Sequence, residues 1–256
     1  IFGLENNLKR QRAFLEVLKD PAVMERKRKE EEALRERVSR KPSVATATEG
    51  AWDHMAAAQR ELMRRHREYL YTDLSRGARL LGLANNIVRY VAEIEKPNEK
   101  RLEEYRDSNL ESLRFQMFSP APIYADVDAV VLGAQLRDAL DALGPTHPFV
   151  KLALGGRPPE AVAEELTRQT KLGDVAFRRQ LIQGGRSAVE ASTDRLIVWA
   201  RNLDASYREL RAWYEDGVQS VETLEGGRIA RARFAIGGKS VYPDATGTLR
   251  LSHGRV

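Results

Sequence analysis

The side chains best suited to catalysis in this sequence are its four histidines, His54, His66, His147 and His253. A histidine can act as a general base near neutral pH or bind a metal ion. The spacing supports neither role, because no two of them form a His-x-x-x-His pair and no His-Glu-x-x-His zinc motif is present. His66 lies one helical turn from Leu62 and from Tyr69, which predicts a partly buried core histidine rather than a ligand.

Other catalytic chemistries lack their sequence signals as well. The chain has no Cys, which excludes disulfides, thiolate zinc sites and Cys nucleophiles. It has no Gly-x-Ser-x-Gly elbow and no phosphate-binding glycine loop. Its 37 acidic residues show no spacing that would pair a general acid with a general base. We therefore expect no metal, no cofactor and no catalytic residue from the residues alone.

The charge distribution and the hydropathy of the sequence limit the classes of binding partner that we expect. The formal net charge is +5, and Lys and Arg are interleaved with Glu rather than clustered. This pattern lacks the basic patch that binds nucleic acid, so we expect no nucleic-acid partner. No apolar run approaches the ~20 residues that a membrane-spanning helix needs, so we expect no membrane partner.

The elements that must position any functional residue are predicted to be mainly helical, about eight to ten helices in all. Predicted helices cover residues 4–19, 21–40, 51–73, 76–95, 99–118, 126–144, 148–154, 159–170 and 193 to about 234. Residues 41–50 are predicted to form a loop. Asp126 is the expected N-cap of its helix. The last helix is expected to continue to about residue 234, and Gly226-Gly227 is a point at which it could break or kink.

The strongest buried stripe lies in the helix predicted at residues 76–95. Its apolar residues are spaced at intervals of 4, 3, 4 and 3 residues, and they are Leu80, Ala84, Ile87, Val91 and Ile94. Such spacing places all five on one face of a helix, so we expect this face to form the centre of the core.

The end of the chain changes period. In residues 248–253, Leu249, Leu251 and His253 alternate with polar residues after the turn signal Pro243-Asp244, which is typical of a β-strand. A single strand is not stable alone. We therefore expect its partner strands to lie outside this chain, and we divide the chain into a helical domain at residues 1–238 and a strand segment at residues 239–256.

Two stretches of the sequence resemble a known family. GLENNLKRQ, at residues 3–11, resembles the Gly-Leu-x-Asn-x-x-Lys-(Lys/Arg) element that opens the helical domain of serine peptidase family 46. This is the family of bacterial dipeptidyl-peptidases 7 and 11 and of dipeptidyl aminopeptidase BII. SVYPDATGTLRLSHGRV, at residues 240–256, resembles the segment where these enzymes re-enter their catalytic barrel, close to Tyr-Pro-Asp-Ala-x-x-Thr-Leu-Arg-Leu-(Ser/Thr)-Tyr-Gly-x-Val. The segments ERKRKEEEALRERV and GGRIARARFAIGG also resemble helices of the family.

The resemblance implies a fold and an activity that composition and periodicity do not indicate. The family has a chymotrypsin-like double β-barrel with a large helical domain inserted between its halves, and this domain caps the active-site cleft. Its members use a Ser-His-Asp triad to release dipeptides from peptides with a free N-terminus. The His and Asp precede the helical domain, and the Ser follows it in a Gly-Asn-Ser-Gly-Ser-Pro motif, which is absent here. By this mapping the chain holds no member of the triad and should be inactive alone.

The resemblance also bears on single residues and on location. Asn6 matches the Asn that helps to hold the α-amino group of the substrate, and Asn7 is the alternative if the register shifts by one. A local cap or backbone bond is the other role open to an Asn at this position. His253 stands where the family has Tyr, so the resemblance does not make it the catalytic His.

The family is exported, which implies the periplasm or the cell surface, and a homodimeric parent enzyme is a further expectation.

A second hypothesis comes from a different class of protein. Long amphipathic helices also serve as docking surfaces, so the chain could be a free-standing helical interaction module without catalysis. The strand predicted at the end of the chain favours the peptidase hypothesis, since an interaction module has no need of an unpaired strand.

Overall fold

The computed structural model describes residues 2–74 and 77–238, and it is helical almost throughout. The described residues form thirteen α-helices and no strand. The helices are α1 Phe2–Lys19, α2 Pro21–Ser39, α3 Pro42–Ala47, α4 Ala51–Thr72, α5 Arg79–Glu93, α6 Asp107–Met117, α7 Ala125–Leu143, α8 Pro148–Leu154, α9 Pro159–Gln169, α10 Val175–Gln183, α11 Gly185–Ala191, α12 Arg195–Tyr214 and α13 Ser220–Gly237. The prediction of a mainly helical chain is confirmed. The predicted C-terminal strand lies outside the described residues.

The chain divides into two compact units. The first unit comprises residues 1–60 and 218–256, and the second unit comprises residues 61–217. None of the helices formed by the described residues is long and apolar enough to cross a membrane.

The second unit contains the large hydrophobic core. Its central helix is α5, where Leu80, Ala84, Ile87 and Val91 are buried and Ile94, just after the helix, is partly buried. This confirms the predicted stripe. Each fully buried Leu or Ile contributes about 1.5–3 kcal/mol relative to an exposed one. Helix α5 packs against α12, and α7 packs against α9.

The close approach of α7 and α9 depends on a small residue. A Cβ added at Gly133 would lie 3.5 Å from the Cα of Glu160 and 3.6 Å from the Cβ of Ala163. These are ordinary van der Waals distances, so an Ala would fit at this position, whereas a longer side chain would meet the backbone of α9.

The prediction for residues 99–118 as one helix is wrong at its start. Two short 3-10 turns, Asn98–Lys100 and Glu103–Tyr105, precede α6. Two backbone N–H groups of this segment donate to side chains instead of to helix carbonyl groups. The Asp107 N–H donates to Asn98 Oδ1 at 2.8 Å, and the Leu102 N–H donates to Glu93 Oε2 at 2.9 Å. Local side-chain bonds of this kind compete with helix formation.

Asp126 is not an N-cap, which corrects another prediction. Tyr124 occupies the N-cap position of α7 and makes no side-chain cap bond. The acidic cap acts elsewhere: the carboxylate of Asp128 accepts the N–H groups of Arg79 at 3.0 Å and of Leu80 at 2.6 Å. Asp128 thus caps the first turn of α5, which is 48 residues away in sequence.

Four further elements differ from their predictions. Residues 42–47 form the short helix α3 where a loop was expected, and α10 and α11 fill a segment for which no helix was predicted. The last long helix is interrupted by a π-helical turn at Glu215–Gln219, not at Gly226-Gly227. The glycine pair lies inside α13, where neither residue has a positive φ angle.

Candidate functional site

Asn6 lies in the second turn of α1 and is exposed. Its side chain forms no hydrogen bond with another described residue, so its amide is available to a ligand from solvent. Asn7 differs, because its Oδ1 accepts a hydrogen bond from Arg10 at 2.7 Å. The two neighbouring amides therefore differ: the Asn7 side chain is hydrogen-bonded within its own helix, and the Asn6 side chain is not.

The helix that carries Asn6 presents apolar side chains to solvent as well. Leu8, Phe14, Leu15 and Leu18 are between 51% and 65% exposed. Helix α1 packs against α2. Asn6 is thus held on a helix whose apolar side chains remain more than half exposed.

His54 forms the most elaborate polar contact of the first unit. Its Nδ1 lies 2.9 Å from Oε1 of Glu225, whose side chain is only 4% exposed. Arg228 binds the other oxygen of Glu225 at 2.8 Å. Hydrogen bonds from His54 and from Arg228 hold the pKa of Glu225 below its usual value. An ionised carboxylate can only accept, so Nδ1 of His54 is the donor in this hydrogen bond.

This histidine–carboxylate pair has the geometry of one half of a catalytic triad, but the other half is missing. A triad requires a nucleophile hydrogen-bonded to Nε2. In the described part of the chain, Nε2 of His54 has no such partner. The hydrogen bond between His54 and Glu225 is explained instead by a structural role, because it attaches α4 to α13. Sequence reasoning missed this pair, because its members lie 171 residues apart.

The remaining histidines do not form a site. His66 is exposed, so the prediction of a partly buried core histidine is wrong, although Leu62 and Tyr69 on the same face of α4 are partly buried. His147 is the N-cap of α8, and its Nδ1 accepts the Phe149 N–H at 3.3 Å. His253 lies outside the described residues. Across residues 2–74 and 77–238, no group of His, Asp and Glu side chains could hold a metal ion.

A network of ion pairs is buried in the second unit, and the sequence did not indicate it. Glu93, which is 0% exposed, accepts from Lys96 at 2.7 Å and from Arg208 at 2.5 Å. Arg208 and Arg89 both bind Asp204, at 2.6 Å and 2.8 Å. Every carboxylate of this network faces a cation, so the network can hold α5 and α12 together but offers no free base for catalysis.

A groove between α2, α4 and α13 forms a concave surface of the first unit. It encloses about 870 Å³. Its apolar floor includes Leu34, Trp52, Met55 and Ile229, and its rim carries cations. We call it the α2/α13 groove.

Comparison with known proteins places the whole chain in one family. No curated protein sequence matches it. The family model described as Peptidase S46 matches residues 1–256, which includes the described helices and both terminal motifs. Because the match covers the full length, the chain belongs to peptidase family S46, a family of serine peptidases.

Proposed function

We propose that this chain is the helical cap of a serine exopeptidase that releases dipeptides from the free N-terminus of peptides, and that Asn6 helps to anchor that N-terminus. The match to peptidase family S46 along the whole chain carries the proposal. The helical character of residues 2–74 and 77–238 supports it, because a cap over a β-barrel cleft is expected to be helical. In this proposal the triad lies outside the chain, and residues 239–256 begin the second half of the barrel.

The chemistry of Asn6 suits an amine anchor. The Oδ1 atom of an Asn accepts a hydrogen bond from an ammonium group, and the neutral amide adds no charge that would retain the product. Asn6 is exposed and its side chain has no hydrogen-bond partner among the described residues, so binding a substrate would cost no existing bond. A fixed amine position determines which peptide bond reaches the nucleophile. An exopeptidase that holds the amine in this way would cleave after the second residue.

The matched variants Asn6→Ala and Asn7→Ala in the full-length parent enzyme test this role. A hydrogen bond to a charged group is worth about 1.5–3 kcal/mol, so we expect Asn6→Ala to lower kcat/KM by roughly 10- to 100-fold on dipeptide-linked chromogenic substrates. Asn7→Ala should change kcat/KM by less than about twofold, since exposed local bonds contribute little.

An N-acetylated substrate provides the second readout. Blocking the amine removes the group that Asn6 binds, so wild type and Asn6→Ala should hydrolyse the acetylated substrate equally poorly. Activity unchanged by Asn6→Ala would keep the peptidase proposal and remove Asn6 from the site. If the parent enzyme cleaved no dipeptide substrate, the dipeptidyl-peptidase proposal would fail and the interaction module would replace it.

The proposal has consequences for the isolated chain and for its location. We expect no hydrolysis by the 256-residue chain alone, and we expect the parent enzyme in the periplasm or at the cell surface, as a homodimer. Cell fractionation and analytical ultracentrifugation of the parent enzyme check location and oligomeric state. Turnover by the purified chain that survived Asn6→Ala would contradict the assignment as a cap.

A further inference from the structure

We propose that the α2/α13 groove binds acidic peptide segments that carry an apolar side chain. The groove has the size of a ligand-binding cleft, since such clefts commonly enclose about 300–1,000 Å³. It lies wholly within the first unit, so its walls do not depend on the second unit. The proposal stands apart from the proposed peptidase activity, and its test does not require that activity.

The floor of the groove supplies an apolar anchor site. Trp52 and Met55 of α4 lie opposite Leu34 of α2 and Ile229 of α13, and all four side chains are only partly buried. Aromatic and Met side chains at the centre of a concave surface are typical of the anchor positions of peptide-binding sites. The guanidinium of Arg35 lies 5.1 Å from the ring centroid of Trp52, which fixes one edge of this floor.

The charges at the rim are unbalanced. The two carboxylates that line the groove are already paired: Glu30 with Lys27 at 2.9 Å, and Glu31 with Arg35 at 2.6 Å. The hydrogen bond from Lys27 holds the pKa of Glu30 below its usual value, so Glu30 stays ionised and its charge remains neutralised by Lys27.

Two arginines at the rim form no direct ion pair with a carboxylate of the described residues. Arg37 donates only to the backbone oxygen of Ile236, at 3.3 Å. Arg233 forms no hydrogen bond or direct ion pair within the described part of the chain, although its charge helps to lower the pKa of Glu30. A guanidinium presents five donors in a planar fork that matches a carboxylate. Two such groups beside an apolar floor are complementary to a peptide in which acidic residues flank an apolar one, and they would repel a basic peptide.

Fluorescence anisotropy with short labelled peptides of alternating Glu and Leu tests the proposal on the whole chain. Gln/Leu and Lys/Leu peptides of the same length serve as the charge controls. We expect the Glu/Leu peptide to bind at least about tenfold more tightly than the Gln/Leu peptide, and we expect the Lys/Leu peptide not to bind. Raising the salt from roughly 0.05 M to 0.5 M should weaken binding, because the charges at the rim are solvent-exposed.

Charge-reversal variants locate the binding site. Arg37→Glu and Arg233→Glu should each weaken binding of the Glu/Leu peptide by about tenfold, and Trp52→Ala by about fivefold or more. Arg12→Glu is the matched control, since Arg12 is exposed on α1 and outside the groove, and it should leave binding unchanged. Circular dichroism of each variant verifies folding, and protection of α2 and α13 from hydrogen exchange on addition of peptide provides a readout in the wild-type chain.

Four results would overturn the proposal. These are equal binding of the Glu/Leu and Lys/Leu peptides, no binding of any peptide, binding unaffected by both charge reversals, and a peptide-induced protection that avoids α2 and α13. If Arg233→Glu instead dissociated a dimer of this chain, the groove would be an interface between two copies and the peptide proposal would be wrong.

Discussion

Glu93 illustrates how a single residue can join distant parts of the second unit. Its carboxylate is fully buried and accepts hydrogen bonds from Lys96, from the Leu102 N–H and from Arg208. Burial alone would raise its pKa, but these three donors outweigh burial and hold the pKa below its usual value. The buried charge is therefore stable only while its partners are present.

Neutralising Glu93 should destabilise the chain. The variant Glu93→Gln keeps the size of the side chain but removes the charge, so it leaves Lys96 without its carboxylate and Arg208 with Asp204 alone. We expect the free energy of unfolding to fall by about 2–4 kcal/mol, measured by urea denaturation. The control Glu95→Gln removes an exposed partner of Arg186 and should cost less than about 1 kcal/mol. Equal losses in the two variants would contradict a special role for the buried site.

The same residue predicts a pH dependence with a definite sign. The pKa of Glu93 is lower in the folded chain than its ordinary value of 4.5. Its contribution to stability is therefore present above pH 4.5 and is lost as the pH falls through the folded-state value. We expect the difference in unfolding free energy between wild type and Glu93→Gln to be constant at neutral pH and to shrink in acid. Urea denaturation at several pH values measures this difference, and parallel curves down to the acid transition would refute the assignment.

At the level of elements, the glycines of two helical segments should respond to the same substitution in opposite ways. Gly227 lies inside α13 and a Cβ there would meet only the flexible end of Arg231, at 3.6 Å. Gly184 lies at the junction of α10 and α11, where a Cβ would come within 2.4 Å of the Cβ of Ala188. The first position has room for a methyl group and the second does not.

Alanine substitution at these glycines measures the difference. Gly227→Ala should raise the free energy of unfolding by about 0.5–1 kcal/mol, because Ala loses less backbone entropy than Gly in a helix. Gly184→Ala should lower it by about 1–3 kcal/mol, since α11 must shift to relieve the contact. Thermal or urea denaturation of the two variants provides the comparison. A loss of stability in Gly227→Ala would contradict the presence of room for a methyl group at this position of α13.

At the level of the whole molecule, the two units differ in how much apolar surface they bury. The main hydrophobic cluster lies within residues 74–203, which all belong to the second unit. The buried apolar residues described in the first unit are few: Val38, Ala51, Ala58, Val218 and Ala232. Local stability follows buried apolar contacts, so the first unit should open more easily.

Hydrogen exchange monitored by mass spectrometry checks this difference. We expect amides of α5 and α12 to exchange the most slowly. Amides of α1 should exchange close to the rate of an unprotected chain, since isolated helices of this length are only marginally stable in water. Protection of α1 comparable to that of α5 in the 256-residue chain would show that its apolar face is covered in solution, for example by a second copy.

Features that depend on near neighbours are predictable from the amino-acid order alone. Periodicity and punctuation located α1, α2, α8 and α9 to within a residue or two, and the spacing of Leu80 to Val91 identified the buried face of α5. The terminal motifs indicated the family that the comparison then showed. These signals are local, because helix caps and apolar spacing act over one or two turns.

Contacts between residues far apart in the sequence become visible only in the folded chain. Asp128 caps α5 across 48 residues, and Glu225 holds His54 across 171. His66 faces solvent although its spacing suggested the core, and the α2/α13 groove draws its walls from three helices. Such contacts depend on how separate helices pack, and one sequence contains no local signal for the pairing of elements so far apart. Asn6 combines local and distant information. Its motif is a local sequence signal, while its proposed role depends on contact with a substrate.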